Sequence, residues 1–181
     1  MTPPPLRLEP FAEEHLDALA AMLFDPDVRR FTGFPEPPDP TFPRRWLDSY
    51  EAGRSEGTRE AFAGVDPTGR LLGLALAPTI VPVAREAELG YVVAPTARGQ
   101  GVGTELLRLL TRWGFDQLGA LRLVLQIDAT NGASLEVARR CGYRREGIRR
   151  NAYVKRGRRA DMVQLSRLAA DPEGEAPATL S

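Results

Sequence analysis

The chain has 181 residues, with 24 Lys and Arg side chains against 24 Asp and Glu, so its formal net charge is zero. That length fits one domain with a real core, and 43% hydrophobic against 27% charged residues excludes a disordered or fibrous chain. A single cysteine, Cys141, excludes an internal disulfide; a single histidine, His15, argues against a His-rich metal site; and no apolar run reaches the roughly 18 residues of a membrane span.

The neutral total hides an uneven distribution. Of the 24 basic residues 23 are Arg, and Lys155 is the single Lys. Residues 1–60 carry twelve acids and seven bases, whereas residues 139–159 carry ten bases and one acid, Glu146. The zero net charge argues against a generic nucleic-acid binder and no DNA partner is expected, although large local fields can coexist with a neutral total. The opening Met-Thr-Pro-Pro-Pro has no basic region followed by an apolar stretch, so no signal peptide is expected and the chain reads as cytoplasmic.

Residues 6–9 alternate and predict a short strand. Residues 11–24 place Phe11, His15, Ala18, Leu19, Met22 and Leu23 at helical spacing, with Asp25-Pro26-Asp27 read as the stop. Residues 31–43 are proline-rich and read as a loop, and Trp46, Leu47 and Tyr50 predict a helix over 42–52. A hairpin follows, 61–65 and 71–77 around Asp66-Pro67-Thr68-Gly69, then a strand over 86–93. The strongest helical signal spans 101–118. Next come a strand at 121–127, a helix at 131–141, and an antiparallel pair at 143–154 and 161–168. The expected domain is 1–170, with residues 171–181 a disordered tail.

Arg98-Gly99-Gln100-Gly101-Val102-Gly103-Thr104 follows a strand and opens the best helix. Glycines let the backbone approach a ligand closely, and the free amides of a helix's first turn attract an anion, usually phosphate. A P-loop needs a Lys before Ser or Thr, which is missing, and the dinucleotide fingerprint fails in both registers at Thr104 and Leu106. The pattern that fits is [Arg/Gln]-x-x-Gly-x-[Gly/Ala] after a strand ending Val-Val-x-Pro. It resembles the acyl-CoA pyrophosphate loop of the GNAT N-acetyltransferase superfamily, and the order of elements resembles that family's too. Asn131-x-x-Ser134 with Gly142-Tyr143, and Glu88-Leu89-Gly90-Tyr91, resemble the branch that acetylates ribosomal-protein N-termini, the RimJ/RimL type.

The resemblance implies an α/β (α+β) GNAT fold: a mixed, mostly antiparallel sheet splayed at the strand 86–93, with helices on both faces. It implies acetyl-CoA as cosubstrate, no metal, and direct attack by a primary amine in a ternary complex. By position, Tyr91, Val92 and Val93 would meet the pantetheine arm, with Val92 or Val93 N–H polarising the carbonyl. Arg98, Gly99, Gln100, Gly101, Val102, Gly103 and Thr104 would hold the phosphates, Asn131 would lie against the pantetheine, and Ser134 near the thioester sulfur. Many relatives use a Tyr one turn beyond Ser134 to protonate the thiolate. Ala138 stands there, which leaves Ser134 for that task. Glu88 is the first candidate base, with Glu86 as backup. Tyr153 occupies the position where the branch often has a Glu, and could orient substrate or relay a proton. Asp161 reads as structural.

In such a fold the early helices and the last hairpin wall the acceptor groove. One wall would be acidic and aromatic (Asp25, Asp27, Phe31, Phe34, Glu36, Trp46) and the other basic. The acceptor is expected to be a protein N-terminus or a small-molecule amine. RNA or ribosome contact through the basic segment stays open, as does the choice between monomer and homodimer. No membrane partner is expected. The rival readings are a non-catalytic acyl-CoA-binding module and a basic-surface RNA-binding protein.

Overall fold

The computed structural model describes residues 4–155 and 157–172. Seven strands form one sheet in the order β1-β2-β3-β4-β5-β7-β6. They are β1 (Arg7–Pro10), β2 (Glu60–Val65), β3 (Leu71–Val81), β4 (Glu86–Val93), β5 (Arg122–Asp128), β6 (Arg144–Lys155) and β7 (Arg158–Leu168). Neighbours pair antiparallel except β4 with β5, which run parallel. The helices are α1 (Leu16–Met22), α2 (Pro26–Phe31), α3 (Phe42–Glu56), α4 (Val102–Asp116) and α5 (Gly132–Arg140). This is the mixed, splayed α/β architecture expected from the family resemblance.

Strand alternation decides which helix covers which face. Phe62 meets Trp113 of α4 edge-on, and an added Cβ at Gly64 or Gly73 would strike Leu106 of the same helix. Leu106, Leu107 and Leu110 are fully buried there. The other face packs α1 and α3, where Leu19, Leu47 and Tyr50 are buried and Trp46 stacks between Phe11 and Tyr50. At the end of α5 the buried Tyr143 hydroxyl bonds Thr111 of α4 at 2.8 Å, so neither buried oxygen is left without a partner.

Several boundaries differ from the sequence reading, among them α3, which runs on to Glu56 instead of ending near 52, and β7, which begins at Arg158 instead of 161. The first helix begins as a 3-10 turn, Glu13–His15, before α1. Asp25-Pro26 does not only end α1: Asp25 caps α2, accepting from Val28 N at 2.8 Å, and Pro26 takes its first position. The loop expected over 31–43 thus begins where an unforeseen helix ends. Strand β3 runs on to Val81 because a bulge at Ala77-Pro78, opposite Leu89, absorbs a proline that cannot donate to a ladder. Of the expected tail, residues 173–181 lie outside the described residues, as does Arg156 in the last hairpin turn.

Below the centre of the sheet a polar clamp joins four strands. Arg122 of β5 donates to Glu86 of β4 at 2.8 Å and to both oxygens of Glu146 of β6 at 2.6 and 2.7 Å. Glu146 also accepts from Gln164 and Ser166 of β7. The Arg122 hydrogen bonds hold the Glu146 carboxyl at a pKa of about 2 instead of 4.5. A depressed carboxyl stabilises the fold above its ordinary pKa and loses that effect as pH falls through the depressed one. Glu146→Gln should therefore lower the melting temperature at neutral pH by ~2–4 °C, the loss of about 1 kcal/mol after allowing for solvent screening. The gap between the two proteins should close as pH falls from 4.5 toward about 2, measured by thermal melts across that range.

Candidate active site

Parallel pairing of β4 with β5 runs from Glu86–Arg122 to Leu89–Leu125 and then stops. Beyond Leu89 the two strands diverge, and a cleft of about 1030 Å³ opens between them. Backbone alternation says which groups β4 leaves there. Ala94 N donates to Leu72 O, so in the β3 register Val92 bonds Leu74 while Tyr91 and Val93 turn their backbone groups toward the departed β5. Val92, expected to share the carbonyl-polarising role, spends its N–H within the sheet. The open amides are those of Tyr91 and Val93.

The glycine loop closes one end of the cleft. Gly101 caps α4 with φ 80° and Gly99 sits at φ 73°, a region that L side chains avoid. No side chain caps α4, so its first-turn amides face the cleft, lined by Gly101, Val102, Gly103 and Thr104. Gly103 is pressed against the strand: an added Cβ would lie 3.2 Å from the Tyr91 ring and 3.3 Å from Val93.

Two members of the expected phosphate-binding set are engaged elsewhere. Arg98 forks onto Asp25 at 2.6 and 3.2 Å and reaches Asp27 at 3.4 Å. Its guanidinium holds the Asp25 carboxyl below the usual carboxylate range. Gln100 donates to Thr96 O at 3.1 Å and does not line the cleft.

Ser134 and Asn131 line the cleft from the start of α5. Asn131 caps that helix, accepting from Ser134 N at 3.1 Å. The Ser134 hydroxyl lies 2.8 Å from the Tyr91 phenol. Burial pushes the Tyr91 pKa up to about 12, against the lowering effect of the Ser134 bond, so the phenol is protonated at neutral pH. The sequence reading assigned Tyr91 by its backbone and missed this phenol. Its strand parity, opposite to Glu88, was the signal that it faces the helix side. Ala138 is fully buried, leaving no hydroxyl one turn beyond Ser134.

Glu88 lines the cleft on the opposite face of β4. Among the described residues it makes no hydrogen bond or ion pair. Burial raises its pKa above 4.5, opposed by the charge of Arg149. Glu86, the backup base, is bound to Arg122. Tyr153, 37% exposed, lines the far wall and packs against the Gly33 loop; burial raises its pKa. Asp161, read as structural, accepts from Asn151 N at 2.8 Å, beside the register shift in β6 between Arg149 and Tyr153. Cys141 is buried, with its thiol pushed up to about 11, which makes it a poor nucleophile.

The acidic wall expected from Asp25, Asp27 and Glu36 is neutralised. Arg98 takes the first two and Arg29 binds Glu36 at 3.1 Å. What remains is aromatic: Phe31, Phe34, Phe42 and Trp46. Among the described residues no group of three or more His, Cys, Asp and Glu could hold a metal ion, and no helix is long and apolar enough to cross a membrane.

Residues 5–144 match the acetyltransferase (GNAT) domain family, and the chain belongs to it. YdaF of Bacillus subtilis (strain 168), provisionally named a ribosomal N-acetyltransferase, is 32% identical over 113 residues, 62% of each chain. The spermidine N(1)-acetyltransferase of Escherichia coli (strain K12) is 26% identical over 101 residues, 56% of this chain and 54% of that enzyme. These alignments span less than two thirds of either relative. Among solved structures, RimL, described as a ribosomal L7/L12 alpha-N-protein acetyltransferase in complex with coenzyme A, has a TM-score of 0.81 at 22% identity, covering 90% of this chain and 93% of that one.

The double role of Asp25 is separable. Asp25→Ala removes both the cap of α2 and the ion pair with Arg98, and should cost about 1 kcal/mol or more in denaturant unfolding. Asp25→Asn keeps a capping oxygen and should fall between Ala and the unaltered protein.

Proposed function

We propose that the chain, as a domain over 1–170, transfers an acetyl group from acetyl-CoA to a primary amine by direct attack in a ternary complex. One observation carries the reading: β4 leaves β5 at Leu89, opening backbone groups along the strand's edge, with the Tyr91–Ser134 hydroxyl pair on one face of the strand and on the other Glu88, a carboxylate without a hydrogen bond or ion pair among the described residues. An acyl donor and an amine then approach one strand from two sides.

Acetyl-CoA supplies the activated acetyl group. The uncapped first turn of α4, with Gly99, Gly101, Val102, Gly103 and Thr104, is suited to its phosphates, with the open groups of Tyr91 and Val93 alongside the pantetheine arm. The amide of Val93 or Tyr91 polarises the thioester carbonyl. Glu88 accepts the proton that the amine loses as its nitrogen bonds the acetyl carbon. The carbon–sulfur bond breaks, and the thiolate takes a proton from Ser134, which Tyr91 resupplies through their shared hydrogen bond and then recovers from solvent in the open cleft. Tyr153 orients the amine from the far wall. Much of the acceleration comes from holding the reactants together.

A thiol-release assay over a panel of amines tests the activity. Coenzyme A binding with no release above background would leave a binding module instead. Glu88→Gln should lower kcat by about 10²–10⁴-fold. Glu88 serves as base only when ionised, and burial raises its pKa, so the acid-side limb of the kcat profile should lie above pH 4.5 and vanish in this variant. Ser134→Ala should reduce kcat more than it raises KM. An unaltered rate would take Ser134 out of the proton path.

A further inference from the structure

Five of the seven charged residues that line the cleft are engaged within the protein. Asp27 and Arg98 bind each other, Arg140 binds Glu136, Asp128 accepts from Thr130, and Arg30 lies over the Phe31 ring at 4.9 Å. Two remain, Glu88 and Arg149, and neither makes a hydrogen bond or ion pair among the described residues.

The sheet register places both on one face. Glu88 lies opposite Val124 of β5, and Arg149 opposite Met162 of β7, which in turn lies opposite Asp128 of β5. Residues 124, 126 and 128 alternate onto a single face of β5. Glu88 and Arg149 therefore border the same stretch of floor, over Gln126 and Met162, with the aromatic wall above. They lie near enough for Arg149 to act on the Glu88 charge, yet the two do not pair. Two opposite charges left open across one floor suit a ligand that carries the complementary two.

We propose that Arg149 is a specificity-determining residue and that the acceptor is an anionic amine, one whose primary amino group meets Glu88 while a carboxylate or phosphate a few bonds away meets Arg149. This rests on the acetyl-transfer reading above. It disfavours polycations: the cleft offers a polyamine one open carboxylate, with Arg149 repelling the second cation. A free amino acid and a peptide N-terminus with an acidic side chain share the required chemistry.

Matched pairs test it. Glutamate against glutamine, an Asp-first dipeptide amide against its Asn-first counterpart, and spermidine are assayed by thiol release. The anionic member should show kcat/KM at least tenfold above its neutral partner, and the pair showing the larger ratio identifies the source. Arg149→Gln should erase that ratio through KM with kcat little changed, and Arg149→Lys should restore part of it. Equal rates within both pairs, or spermidine as the best acceptor, would overturn the inference while leaving the acetyl-transfer activity standing. Absence of release with every amine would overturn the activity. Calorimetry of the same pairs on the coenzyme A-loaded protein then decides the inference alone, equal affinities counting against it.

Discussion

The pairing of β4 with β5 is strong at one end and absent at the other, and the rest of the molecule is arranged around that difference. Four residue pairs hold the strands together. Beside them Arg122 ties Glu86 to Glu146, and Glu146 ties in β7. A parallel pair that simply stopped would expose a row of unmet backbone groups, which folded proteins avoid. Here the clamp makes the divergence a fixed geometry and not a frayed edge. The helices α4 and α5 then cover one side of the opening, and α1 to α3 with the β6–β7 hairpin border the other.

Charge is used in this protein mainly to fasten elements and only locally to address a ligand. Arg98 joins the loop before α4 to α2, which lies more than seventy residues earlier. Arg54 does the same between α3 and β2, through Glu60 and Ala61 O. Once such pairs are removed from the count, the acidic N-terminal third and the basic C-terminal segment no longer face each other as opposed fields. What reaches the cleft unspent is a short list, headed by one carboxylate and one guanidinium.

Local features were legible from residue order. The bounds of β4 match the expected strand, and α4 starts within a residue of the expectation, because a Val-Val-x-Pro ending and a glycine run mark both sides of the loop. The helix α2 was hidden because Asp25-Pro26 serves equally as a stop for one helix and a start for the next. The Tyr91–Ser134 bond joins residues 43 apart, and the Arg98–Asp25 pair residues 73 apart. No periodicity reports such contacts, since they depend on how the sheet twists and which faces it buries. For the same reason Glu88 could be named as a carboxylate near the splay, but that it makes no hydrogen bond or ion pair among the described residues could not be foreseen.

The described ion pairs rest on arginine, with His15 the exception. A guanidinium keeps its proton across the working pH range and so offers no lone pair to a thioester. The ammonium of a lysine, by contrast, gives up a nucleophilic amine whenever it deprotonates. On the acetyl-transfer reading proposed above, a scaffold that carries only Lys155 among its side-chain amines has little of its own structure for an acetyl donor to modify. Toward an acyl thioester the fasteners at Arg98 and Arg122 are chemically inert, and acylation cannot loosen the fold through them.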